Sequence, residues 1–143
     1  MIFSAKLDYA IKALVELARN FESRRLVNLN EICDNQNIPS QFLLQIMSRL
    51  KNGGIVESIR GVSGGYILTR YPSKISLKDV ILAAEPSVLK NTKQAANKKS
   101  SSDIVIENIC NQGNEKLIEF FENISLEELL SKTIEKNNIT YSI

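Results

Sequence analysis

The sequence predicts a mainly α-helical protein with one small β-hairpin: a head of three short helices closed by the hairpin, then a long C-terminal helix. Three observations predict it. Apolar residues recur at three- and four-residue spacing over most of the chain, as in helices with one buried side. Residues 55–70 break that rhythm, where two short β-prone runs, IVESI and YILTR, flank the glycine-rich joint RGVSGG. The helical spacing then lapses over residues 86–103 and returns from residue 104.

Ser4 precedes the first helix, whose stripe of Leu7, Ile11, Leu14, Ala18 and Phe21 faces a core, and ESRR at 22–25 ends it. Asn28 caps a second, short helix, with Glu31 in the capping-box position. Leu29, Ile32 and Cys33 form its inner side, which makes Cys33 a small core residue. Pro39 suits the start of a third helix and Ser40 its cap, giving a helix from Ser40 to Asn52. Leu43, Ile46, Met47 and Leu50 share its inner face. Gln41, Leu44, Gln45 and Ser48 share the outer face, with Arg49 at its flank. Two amides and a hydroxyl on such a face can read base edges; a merely solvated face is the alternative. Leu44 is an exposed leucine among polar neighbours, suited to a thymine methyl or simply tolerated at the surface.

The NGG at 52–54 stops this helix. Three short helices followed by a hairpin is the order of a winged helix-turn-helix, in which the third helix enters the major groove of DNA. Arg60 on the hairpin tip then suits the narrow, electronegative minor groove, and Gly61, Gly64 and Gly65 would let the main chain approach phosphates. The joint is not a nucleotide-binding loop, because it lacks GK[ST] and GxGxxG and links two strands.

After Pro72, SKISLKDVILAAE predicts a capped helix with Leu77, Val80, Ile81 and Ala84 inward. Residues 86–103, rich in Lys, Asn and Ser, read as a flexible loop. In the long helix that follows, Ile106, Ile109, Cys110, Leu117, Phe120, Phe121 and Ile124 fall near one side, with a kink expected at Gly113. Ser125 caps a last helix, with Glu128 three residues on. A long amphipathic helix away from the head needs a cover, and a second copy of the chain would supply it, placing two heads on a palindromic site. The resulting division is 1–85, a winged helix-turn-helix DNA-binding domain; 86–103, the loop; 104–136, dimerisation helices; and 137–143, a C-terminal tail.

Composition narrows the chemistry. The 143 residues contain no histidine and two cysteines, Cys33 and Cys110, so no Ser-His pair and no CxxC spacing exist. An enzyme is therefore not expected. The net charge of +2 is uneven: residues 1–76 hold ten Lys/Arg against six Asp/Glu, while 103–143 hold three against eight. The basic half suits a polyanion and the acidic half does not. No apolar run is long enough to span a bilayer and the amphipathic start is no signal peptide, so a cytoplasmic protein without membrane contact is expected.

The segments YAIKALVELA, EICDNQNIPSQFLLQIMSRLKNGGIVESIRGVSGGYILTRYPSKISLKDVILAAE and FFENISLEEL resemble the Rrf2 family of bacterial transcription regulators, and S-x-R-G-x-x-G-G-Y-x-L at the hairpin is the most specific part. The resemblance covers roughly residues 1–85 and 114–130. It implies a dimeric winged helix that binds double-stranded DNA, with Ser40, Gln41 and Gln45 on the reading face, Arg60 in the minor groove, and Lys6 and Tyr9 at the DNA backbone. Asp8 stands where relatives carry a basic residue. Cluster-bearing relatives hold iron and sulfur through three cysteines and often a histidine in the loop before the long helix. That loop here has neither, and Glu107 occupies about the histidine's place, so no cluster and no other cofactor is expected. The resemblance is then to the cluster-free branch that includes a cysteine-metabolism repressor. It implies a repressor, and through the terminal Ile143 a docking onto O-acetylserine sulfhydrylase; a frayed or dimer-packed end is the alternative. Two other functions stay open at this point: a winged-helix adaptor acting through protein contacts, and a thiol sensor using Cys33 or Cys110.

Overall fold

A computed structural model describes residues 3–90 and 100–141. Of the loop expected over 86–103, residues 91–99 lie outside the described residues, as does Ile143; its described ends are a 3-10 turn and the start of a helix. The elements run α1 (Ala5–Arg19), α2 (Leu29–Gln36), α3 (Ser40–Asn52), β1 (Val56–Ile59), β2 (Gly65–Leu68), α4 (Leu77–Ala84), α5 (Ser101–Glu122) and α6 (Leu126–Tyr141), with short 3-10 turns at Pro72–Lys74 and Pro86–Leu89.

Local chemistry starts the helices. The Ser4 hydroxyl accepts from the Leu7 amide at 3.2 Å and donates to the Glu85 carboxylate, which fixes the first turn of α1 to the end of α4. The Asn28 side chain accepts from the Glu31 amide at 2.9 Å. The expected reciprocal box is only half made, because Arg25 takes the Glu31 carboxylate at 2.6 and 3.0 Å. Ser76 with Asp79, and Ser100 with Asp103, form complete capping boxes. Ser40 does not cap α3 as expected: Pro39 occupies the cap position and Ser40 is the first helical residue. Proline's fixed φ positions the chain there without a side-chain bond.

Burial follows the predicted stripes. Leu7, Leu14, Leu43, Met47, Leu50, Val80 and Ile81 are fully buried, and with Ile32, Val56, Leu68 and Ile75 they make a single core beneath the hairpin. At about 1.5–3 kcal/mol per buried large side chain, this core drives folding of the head. The one buried charge among the described residues, Glu16, accepts from Gln36 at 2.8 Å and Asn35 at 3.3 Å and lies 3.7 Å from Arg19, so it joins α1 to α2 without an orphaned carboxylate. On the inner side of α2, Ile32 is fully buried, while Leu29 and Cys33 are half-buried and pack against the edge of the core.

β1 and β2 pair antiparallel from Val56↔Leu68 to Ile59↔Gly65. Two tertiary pairings were invisible to local pattern. Val27 exchanges both backbone bonds with Tyr66, at 3.1 and 2.8 Å, adding a one-residue third strand to the hairpin. The Leu77 amide donates to the Ile124 carbonyl at 2.8 Å and the Leu126 amide to the Ile75 carbonyl at 2.9 Å, which clasps the α5–α6 turn to the start of α4.

Three boundaries differ from expectation. α1 ends at Arg19, before ESRR. α5 starts at Ser101, because the Ser100–Asp103 box nucleates it, and it runs unbroken through Gly113 to Glu122. A glycine weakens a helix interior by about 1 kcal/mol but need not break it. Finally, α6 continues to Tyr141, so most of the segment expected as a tail is helical.

Candidate nucleic-acid interface

α3 and the hairpin present the predicted side chains outward. With Leu43, Ile46, Met47 and Leu50 turned into the core, helical geometry leaves Ser40, Gln41, Leu44, Gln45, Ser48 and Arg49 exposed. Leu44 is 57% exposed. Arg49 donates to the Ala84 carbonyl at 3.4 Å, which steadies its guanidinium against the end of α4. Lys51 donates to the Ser58 hydroxyl at 2.9 Å and so links the end of α3 to the hairpin. The helix and the hairpin are thus braced against each other.

Arg60 is exposed at the strand end, and among the described residues it has no hydrogen-bond or ion-pair partner. A planar guanidinium with free donors suits phosphate or the floor of a narrow groove. The glycines beside it divide by cause. Gly61 has φ +127° with nothing near its Cβ position, so it serves the turn and leaves the main chain open. Gly65 has an internal reason to be glycine: a Cβ would lie 2.7 Å from the Val27 carbonyl, within the Val27–Tyr66 pairing. Gly64 is crowded too, with a Cβ at 2.2 Å from the Ile59 carbonyl oxygen. Packing of the hairpin on itself accounts for those two.

Lys6 and Tyr9 lie half-buried on α1, alongside α3. Asp8 is held by Lys12 at 2.8 Å, so its charge is locally offset. Three exposed apolar residues on this side escaped sequence reasoning: Phe42, 50% exposed, on α3, and Ile59 and Val62 at the hairpin tip. The signal for Phe42 was present, since position 42 falls off the inner stripe as Leu44 does.

The cysteines lie on separate elements, Cys33 half-buried on α2 and Cys110 exposed on α5. Burial first, and then the neighbouring Asp34, push the Cys33 thiol up from its ordinary range, which disfavours the reactive thiolate. Among the described residues, no three His, Cys, Asp or Glu side chains come together as metal ligands. No helix among them is long and apolar enough to cross a membrane.

Three helices, a braced third helix with an amide-bearing outer face, and a hairpin carrying a free arginine define a winged-helix regulator of the DNA-binding class. The family profile described as "Rrf2: Iron-dependent Transcriptional regulator" matches residues 3–132, and the chain belongs to that family. It is therefore a relative of transcriptional regulators and not of enzymes. It is 33% identical over 132 residues to the HTH-type transcriptional regulator IscR of Klebsiella pneumoniae (strain 342), covering 92% of this chain and 80% of the relative. Among solved structures it is similar to CymR, the global cysteine regulator of B. subtilis, with a TM-score of 0.75 and 26% identity over 91% of this chain and 96% of that one. It is similar also to T. potens IscR, with a TM-score of 0.71 and 27% identity over 92% and 87%.

Proposed function

We propose that the chain acts as a homodimer on a palindromic operator in double-stranded DNA, without an iron–sulfur cluster, and represses by occupying that operator. The observation that carries this is the outer face of α3. Gln41, Gln45 and Ser48 are exposed, and Arg49 is anchored, beside an Arg60 with no partner among the described residues. Gln41 and Gln45 offer paired donor–acceptor groups to adenine, Leu44 offers a methyl-sized apolar contact to thymine, and Arg60 enters the minor groove. Lys6 and Tyr9 bear on the backbone of the duplex.

The dimer is supported by α5, whose Ile106, Ile109 and Phe120 are 57%, 63% and 61% exposed. Such a row of apolar side chains on one helix calls for a cover, and a symmetric partner supplies the same row. The cluster-free reading is supported by the donor set. Although the family is described as iron-dependent, two thiols on different helices and no histidine do not fit a thiolate-held cluster. A dimer seated on a promoter covers it, and repression by occlusion is the direct consequence.

Genomic footprinting with the purified protein, with and without reductant, tests this reading. A palindromic footprint whose affinity falls steeply with salt is expected, because phosphate contacts release counterions. A footprint that is the same with and without reductant would set aside the thiol-sensor alternative; absence of any footprint would favour the adaptor. The docking of Ile143 on O-acetylserine sulfhydrylase rests on the sequence resemblance alone, and a pull-down with Ile143 deleted decides it.

A further inference from the structure

Between the first turns of α1 and the flank of α3 lies a cavity of about 220 Å³. Ala5, Tyr9, Phe42 and Ile46 supply apolar walls. Lys6 and Arg49 are the charged residues lining it, and no carboxylate does. Among the described residues neither cation belongs to an ion pair and Lys6 has no partner; Arg49 spends one N–H on the Ala84 carbonyl. The N-terminus of α1 is already met by the Glu85 carboxylate through Ser4, so the attraction comes from the two side chains. Two cations beside an apolar cup select an anion, and the cup selects an anion with a hydrophobic body. Bare phosphate would leave those walls unfilled. The volume lies just below the ~300–1,000 Å³ of cofactor-sized sites, which limits the occupant to a small metabolite.

We propose that this cavity binds a small monocarboxylate with an apolar body, and that this occupant and DNA exclude one another. The carboxylate sits between the Lys6 ammonium and the Arg49 guanidinium, and the hydrocarbon part lies against Tyr9, Phe42 and Ile46. The exclusion rests on the reading above, in which Lys6, Gln45 and Arg49 face DNA; the binding does not. Residues clamped on a carboxylate cannot at the same time receive a phosphate, so the ligand shifts the chain toward its DNA-free form.

The test begins with the DNA-free full chain, titrated by calorimetry and NMR with 3-phenylpropionate and 4-methylpentanoate. The corresponding alcohols and inorganic phosphate serve as controls. Saturable binding of at least one acid is expected, about tenfold or more tighter than its alcohol or phosphate, because the carboxylate makes charge-assisted bonds. Lys6→Gln should weaken it by a similar factor, and Ala5→Phe, which fills the cup from an exposed position, should abolish it. Failure of both acids to bind, equal binding of an alcohol or of phosphate, or undiminished binding by both variants would overturn the proposal. The comparison of acid with alcohol uses the unaltered chain and so stands whether or not a variant folds. The footprinted DNA is then added. At ten times its dissociation constant the ligand should raise the apparent dissociation constant for DNA about elevenfold. Ligand binding with unchanged DNA affinity would overturn the exclusion. Ligand binding by a chain that retains no DNA at all would instead mark the failure of the proposed function.

Discussion

α1 and α5 are the two helices to compare. α1 has fifteen residues and buries eight of them, including Leu7, Leu14 and Leu17. α5 has twenty-two and buries one, Phe121, which packs against Phe3 with ring centroids 5.6 Å apart. Both alternate apolar with polar residues, but among the described residues α1 meets its cover along its length, whereas α5 meets one only near its C-terminal end, at Leu117, Ile118 and Phe121. The polar side of α5 does not explain the difference, since Ile104, Ile106, Ile109 and Phe120 are all exposed. The lesson is that amphipathic pattern shows a face to be covered, and packing shows whether the same chain covers it. The head completes itself; the exposed apolar row of α5 finds no cover among the described residues.

The comparison breaks most sharply if both helices respond alike to loss of apolar contacts. Leu14→Ala should destabilise the head by about 2–5 kcal/mol in denaturant titration, because the site is fully enclosed. Ile109→Glu with Phe120→Glu should leave the fold of the isolated chain intact while moving sedimentation from dimer to monomer. An equal loss of folded structure would show α5 to be part of the core. Gly65→Ala should cost about 1–3 kcal/mol, since its new Cβ must push apart the Val27–Tyr66 pairing. Arg60→Ala should cost about 1–3 kcal/mol in DNA affinity while leaving the melting temperature unchanged, because Arg60 has no partner among the described residues. The cysteines sharpen the contrast. Near pH 8, Cys110 on the open helix should alkylate faster than Cys33, whose thiol burial pushes up.

The smallest effect belongs to the Arg25–Glu31 pair. The hydrogen bond from Arg25 holds the Glu31 carboxyl below its usual range. A group depressed in the folded state contributes stability above its unfolded pKa and loses it as pH falls through the folded one. Arg25→Gln should therefore remove a small part of the acid sensitivity below about pH 4.5, where an unperturbed glutamate titrates.

Most of the head was legible because its elements are specified locally. Stripes such as Leu43, Ile46, Met47 and Leu50 name a buried face without reference to anything distant, and the glycines and Arg60 mark the hairpin. The outer face of α3 follows by subtraction. What sequence reasoning missed is non-local or competitive. The bond between Val27 and Tyr66 joins residues far apart in the chain, and no periodicity encodes it. Glu31 could have served Asn28 or Arg25, and geometry chose Arg25. Ser100 and Asp103 looked like part of a polar loop until their reciprocal bonds made them a helix start. The cavity between α1 and α3 likewise required tertiary positions, since Lys6 and Arg49 are unrelated by any spacing.

The clasp at Leu77–Ile124 and Ile75–Leu126 is made of main-chain atoms alone. Substitutions on the exposed side of α5 can repaint its contact surface without touching these bonds, which help to set its angle to the head. In a symmetric pair, that angle sets the gap between the two α3 helices, and hence the number of base pairs between half-sites. In the proposed dimer, new target letters would thus come from the outer face of α3, while the ruler that measures their spacing would be carried in part by main-chain bonds.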